Sequence, residues 1–155
     1  MTNSNMLHYA EEVLDYGIMG TLLIMSVVAL WLFIERMMYY RSVRLEEYTN
    51  KELLELDLGD NLSTISAIRA NAPYVGLIGT IIGIVITFYS LGEAGSVDPK
   101  QVMTGLALAL KATGTGILVA IPAISFYTIA LRKMERLLVY WDVEQEKSSK
   151  PGQEE

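Results

Sequence analysis

The chain contains no cysteine and a single histidine among its 155 residues. The first absence excludes disulfides, thiolate metal sites and a cysteine nucleophile. The second leaves His8 without the convergent ligands that a zinc or haem centre needs, so no metal and no cofactor is expected. His8 reads instead as an interfacial residue near the N-terminus. Basic residues are also short: twelve Lys and Arg stand against eighteen Asp and Glu, for a net charge of −6. A phosphate backbone requires a basic surface, which excludes nucleic acid as a partner. A catalytic set is missing as well. The carboxylates fall in segments that read as water-facing, and no serine has a base at hand, so the chain is not expected to be an enzyme.

Charge is also absent from three long stretches, although 52% of the residues are hydrophobic and 19% are charged. Residues 16–34, YGIMGTLLIMSVVALWLFI, carry none. About 19 residues at 1.5 Å each span roughly 28 Å, close to a hydrocarbon core. Trp31, Phe33, Tyr39 and Tyr40 suit an interfacial belt, and Glu35 and Arg36 end the run. The helix is expected to continue into water to about Glu47. A second span covers residues 71–91 and a third lies within residues 101–131, its apolar run beginning at Ala112. Pro73 and Pro122 each remove one backbone hydrogen bond, which predicts a kink at each.

The connecting segments follow from the same pattern. Residues 1–15 place Met6, Leu7, Ala10, Val13 and Leu14 at helical spacing opposite acidic residues, which predicts an amphipathic lead-in helix. A cleaved secretory signal does not fit, because the segment lacks a positive n-region and the apolar run after it is too long. Residues 35–70 form a connection with an amphipathic helix that stops at Gly59, and Asp60 and Asn61 are candidate N-caps for the helix that follows. Residues 92–100 are a short turn, with Asp98 as N-cap and Pro99 at the first helical position. Residues 132–155 give an amphipathic extension to about Val143 and a disordered tail, SSKPGQEE. The fold class is all-α: an integral membrane protein of three transmembrane helices with long cytoplasmic helical extensions, in contact with membrane lipids. Lys and Arg concentrate in the middle connection and the C-terminal region, and the N-terminal segment has none. The positive-inside rule therefore predicts an outer N-terminus and a cytoplasmic C-terminus.

The polar content of the spans is what remains for function. Gly76, Thr80, Gly83 and Thr87 share one stripe of the second helix, and Gly79 and Gly83 form a GxxxG step. Small residues let helix backbones approach closely in lipid. A phosphate loop is excluded, since no GK[ST] follows and no strand precedes. On the third helix Ala109, Thr113, Gly116 and Ala120 form a matching small stripe. These two faces can pack on each other or present their hydroxyls to a shared cavity. Lys111 is the one charged residue within that span, about 200° around the helix from Thr113. It either snorkels at the outer edge of the hydrocarbon or pairs with a carboxylate from another protein, because no carboxylate of this chain lies inside the membrane.

APYVGLIGTIIGI, a short turn and ALKATGTGILVAIP resemble the ExbB/TolQ/MotA family of inner-membrane energy transducers, most of all its ExbB branch; LSTISAIRANAP resembles the helix that enters the second span there. The resemblance is specific over residues 62–122. It implies a proton-channel subunit in the cell inner membrane, forming a homopentamer around an ExbD-like single-span protein with a membrane aspartate. Proton motive force would then drive a TonB-like protein that energises outer-membrane transport. It further implies that Thr80 and Thr113 line the pathway, with Thr87 beside them. Those two threonines would hydrogen-bond the partner's carboxyl at successive depths. Leu108 stands where family members often carry a glutamate, and Lys111 lies about 60° from it, reversing the local charge. This arrangement points to the partner as source of the titrating acid, with Lys111 as a possible charge partner and Gly76, Gly79, Gly83, Gly116 and Pro122 as helix-packing residues. The short connection disfavours the flagellar branch, which has four spans and a larger cytoplasmic domain. Two other readings stay open: a TolQ-like subunit of the Tol-Pal envelope system, and a non-conducting structural scaffold in which the small faces serve only assembly.

Overall fold

The computed structural model describes residues 2–94 and 98–149, and all of its regular structure is helical. Helix α1 spans Thr2–Ser42, α2 Lys51–Gly59, α3 Leu62–Ala94 and α4 Pro99–Ser149, with a short 3-10 turn at Leu45–Glu47. Three of these, α1, α3 and α4, are long and apolar enough to cross a membrane. Most of their large apolar side chains stay exposed on the protomer, among them Leu23, Trp31, Ile78, Phe88 and Leu118. That pattern fits a molecule whose solvent is lipid.

Helix α1 ends five residues earlier than its charge periodicity predicts. Arg44 and Tyr48 adopt extended backbone conformations on either side of the 3-10 turn. The break lets the chain fold back, so that Leu45 and Tyr48 pack on the cluster formed by Tyr40, Leu54, Leu58, Leu62 and Ala130. The Trp141 indole N–H donates to the Tyr48 carbonyl at 3.1 Å, and the Tyr48 hydroxyl donates to Asp57 at 2.7 Å. A helix continued through Glu47 would forgo these contacts. Hydrogen bonding with the Tyr39 hydroxyl, and then with the Asp57 carboxylate, pushes the Tyr48 phenol well above its ordinary pKa.

Helix α2 begins at the cap of Asn50, whose side chain accepts from the Glu52 N–H at 2.9 Å. It buries Leu54 and Leu58 and ends at Gly59. The turn into α3 is made by Asn61, in the left-handed region at φ 61°. Asn61 holds the N-cap position, and its carbonyl accepts from Ile65 N–H at 3.2 Å. Its side chain caps nothing; it donates to Glu35 at 3.1 Å. Arg36 completes this junction. It donates to the Asp57 carbonyl at 3.0 Å and to Glu35 at 2.8 Å, and Asp60 lies 3.6 Å away. One buried guanidinium thus ties the end of α1 to the α2–α3 corner.

Helices α3 and α4 run unbroken through Pro73 and Pro122. At the start of α4 the Asp98 side chain accepts from the Lys100 N–H at 2.9 Å, with Pro99 at the first helical position. Helix α4 continues six residues past the expected Val143, so Ser148 and Ser149 are helical. The rest of the expected disordered tail, the centre of the 92–100 turn and the apolar face of the N-terminal segment lie outside the described residues and side chains. Along the spans α1 packs on the α3–α4 pair through Leu22 against Ala72 and Ala120, and through Ala29 against Ile68 and Ala123. Phe33 stacks on Phe126 with ring centroids 4.5 Å apart.

Candidate functional site

The closest contact of the two helices is made by their smallest residues. A Cβ on Gly76 would lie 2.6 Å from the Ala112 carbonyl oxygen, and one on Gly116 would lie 2.7 Å from that of Ala72. A Cβ on Gly83 would reach Ala109 Cβ at 2.9 Å, and one on Gly79 would meet both Ala112 Cβ at 2.7 Å and Ile18 at 3.0 Å. Backbone therefore meets backbone along this seam, and only hydrogen fits at Gly76 and Gly116. Gly105, Ala112 and Ala72 belong to the same seam. Pro122 is exposed on the flank of α4 and contributes nothing to it.

Thr80 and Thr113 meet in the middle of the seam. Their hydroxyls hydrogen-bond to each other across the two helices. The Thr80 hydroxyl also lies 3.0 Å from the Ala109 carbonyl and 3.3 Å from its own Gly76 carbonyl, and the Thr113 hydroxyl lies 3.3 Å from that same Gly76 oxygen. Thr80 is only 8% exposed, whereas Thr113 is half-buried. The pair thus lies at one level and not at the two successive depths expected from sequence. The reason is the antiparallel approach: Gly76 and Gly83 bracket Thr80 on α3, Ala109 and Gly116 bracket Thr113 on α4, and close packing of the glycines aligns the threonines.

Thr87 sits farther along the seam, 8% exposed, donating to its own Gly83 carbonyl at 2.7 Å. It packs directly on Gly105, where a Cβ would collide with its side chain. Lys111 is on the exposed side of α4, and its carbonyl accepts from Thr115 at 2.9 Å. It does not join the threonine pair. Leu108 is about half exposed. Among the described residues, no group of His, Asp or Glu is placed to hold a metal ion.

The chemistry of the pair follows from counting donors and acceptors. Two hydroxyl protons serve two hydroxyl oxygens and two backbone carbonyls, so acceptors are in excess. A neutral carboxylic acid arriving at the half-buried Thr113 finds an oxygen able to accept its proton. An ionised carboxylate finds no free N–H or O–H unless Thr113 turns its own proton outward. The apolar walls add a desolvation cost to the charged form. Such a site favours a protonated acid over its anion.

The one sequence signal for Gly105 as a contact is its place four residues before Ala109. Arg36 was readable as the end of a span, and its long-range bond to a backbone carbonyl was not.

A profile of the MotA/TolQ/ExbB proton channel family matches residues 33–143. The chain is 48% identical over 133 residues to the putative biopolymer transport protein ExbB-like 2 of Helicobacter pylori, covering 86% of this chain and 89% of that protein. It is 49% identical over 137 residues to the biopolymer transport protein ExbB of Aquifex aeolicus, covering 88% and 93% respectively. A second Helicobacter pylori protein, biopolymer transport protein ExbB, is 44% identical over 127 residues, covering 82% and 88%.

Proposed function

The chain belongs to the MotA/TolQ/ExbB proton channel family, and we propose that within it the chain is an ExbB-like inner-membrane channel subunit. In this reading several copies, a homopentamer, surround the helix of an ExbD-like single-span partner that carries a membrane aspartate. Proton motive force then drives a TonB-like protein that energises outer-membrane transport. The N-terminus lies in the periplasm and the C-terminus in the cytoplasm. The protein is a transducer and catalyses no reaction of its own.

The observation that carries this reading is the acceptor-rich Thr80–Thr113 pair in a span that holds no acid. A proton relay needs a titrating group, and none of this chain's carboxylates lies inside the membrane. The partner's aspartate supplies one. It takes a proton on one side, becomes neutral, donates its O–H to Thr113 while passing the apolar ring, and ionises on the other. Thr80 fixes Thr113 from behind, and Thr87 lines the same face nearer the outer end. Each elementary charge moved through the potential yields about 2.3 kcal/mol per 100 mV. Lys111, on the other side of α4, reaches toward the outer headgroups and takes no part in the relay.

The burial of Thr80 favours one second reading, in which the pair is a clamp between α3 and α4 and the assembly is a scaffold without a pathway. A TolQ-like role in envelope integrity shares the same pathway chemistry and differs only in its partners. Proton flux into vesicles separates the first two. With the co-purified single-span partner, an imposed pH gradient and potential should drive flux that Thr113→Val abolishes. Absence of flux in the wild-type complex would leave only the clamp, and equal flux in the wild type and in this variant would remove Thr113 from the pathway.

A further inference from the structure

Helix α2 exposes an apolar face where no lipid reaches. Leu53 is 58% and Leu56 71% exposed. Glu52, Glu55 and Asp60 surround them, and Glu55, Leu56, Gly59 and Asp60 line an open groove of about 620 Å³. The extension of α4 has a second unpartnered stripe, with Val139 60% and Tyr140 62% exposed beside exposed Arg132 and Arg136. The apolar run of α4 ends at Leu131. Val139 therefore lies about 12 Å beyond the hydrocarbon, past a headgroup layer of roughly 6 Å. Water, not acyl chain, surrounds both patches on an isolated protomer.

The two patches are level with each other. Lys51 pairs with Asp142 at 2.6 Å, and a Cβ on Gly59 would sit 3.6 Å from Met134, so α2 runs antiparallel along α4. Leu53 is then level with Tyr140, Leu56 with Leu137, and Asp60 with Lys133. They also face opposite ways. Leu54 and Leu58 pack toward Met134, Leu138 and Trp141. Leu56 is about 200° around α2 from Leu54, and Arg136 is about 200° around α4 from Leu138. One patch is acidic and apolar, the other basic and apolar, at one height on opposite flanks.

We propose that the outer face of α2 docks on the Arg132–Arg136–Val139–Tyr140 stripe of α4 in a second copy of this chain, head to tail around a closed ring. Rotation about an axis along the membrane normal preserves height, so patches of equal height on opposite flanks meet without a climb and the ring can close. Glu55 and Asp60 face Arg136 and Arg132 across the contact, and Leu53 and Leu56 cover Tyr140 and Val139. Among the described residues, neither Glu55 nor Arg136 forms an ion pair inside its own chain. The proposal rests on the channel reading only in taking the ring axis along the membrane normal.

The absence of cysteine makes the test direct. The full chain carrying Leu56→Cys and Val139→Cys, extracted with its partner and oxidised, should give a ladder of covalently joined copies. Either single variant should stay monomeric on a denaturing gel, and a mixture of the two singles should stop at dimers. Single variants that cross-link to themselves would overturn the head-to-tail arrangement. Assembled double variant without a ladder would overturn the contact itself. Charge exchange guards against a folding defect: Glu55→Arg and Arg136→Glu should each reduce the assembled fraction, and the double exchange should restore it. No rescue would also overturn the contact. A ladder from an assembly that passes no protons would sink the channel reading and leave this interface standing.

Discussion

The hydroxyl of Thr80 hydrogen-bonds to the hydroxyl of Thr113 across the seam of α3 and α4, with the Ala109 and Gly76 carbonyls as neighbouring acceptors. The pair is a packing contact, and within it the half-buried Thr113 keeps part of its surface open on the protomer. Thr80→Val keeps the shape and removes the buried donor. It is expected to cost about 1 kcal/mol of protomer stability, with assembly retained, as read by thermal unfolding in detergent and by the mass of the assembled complex.

The glycines of the seam are not equivalent to those outside it. Gly76→Ala and Gly116→Ala drive a methyl against a backbone oxygen, which cannot swing aside as a side chain can. Each should cost about 1–3 kcal/mol as the helices splay. Gly114→Ala meets nothing within 4 Å in the protomer and should leave its unfolding temperature unchanged or slightly raised. Comparing the three melting curves checks this.

Much of this architecture is legible in sequence because lipid imposes strict demands. A span must be long and uncharged, so α1, α3 and α4 stand out, and small residues at helical spacing disclose the α3–α4 seam. The alignment of the two threonines is not legible, because depth depends on how antiparallel helices slide past each other. Gly105 continues the small stripe four residues before Ala109, but its contact with Thr87 depends on that same antiparallel register. The end of α1 at Ser42 is likewise set by tertiary contacts. Helical charge spacing continued to Glu47, but the Trp141 and Asp57 contacts of Tyr48 prevailed.

Asn61 offers a test of backbone against side chain. Its φ of 61° suits glycine, while its amide bonds Glu35. Asn61→Gly keeps the first and loses the second. Asn61→Ala loses both and should be the less stable of the two by about 1 kcal/mol. Denaturation of the two variants side by side decides the order.

Arg36 holds the corner between α1, α2 and α3 from a side chain that is 7% exposed. Arg36→Met removes the donor to the Asp57 carbonyl and leaves Glu35 and Asp60 facing each other's charge. The variant should lose about 2 kcal/mol or more and expose residues 44–60 to protease in inverted vesicles. Protection equal to the wild type would contradict the role of this residue.

Lys111 lies on the side of α4 away from the threonine pair. Lys111→Met should assemble normally and support unchanged energised uptake, measured with a labelled substrate of any outer-membrane receptor the system serves. Lost uptake with intact assembly would place its charge in the pathway.

The deciding measurement is energised uptake in cells carrying Thr113→Val or Thr113→Ser, with assembly monitored in parallel. Valine is expected to abolish uptake while the complex stays intact, and serine, which restores the accepting oxygen, is expected to restore it. Wild-type uptake with valine at position 113 would remove Thr113 from the proton path.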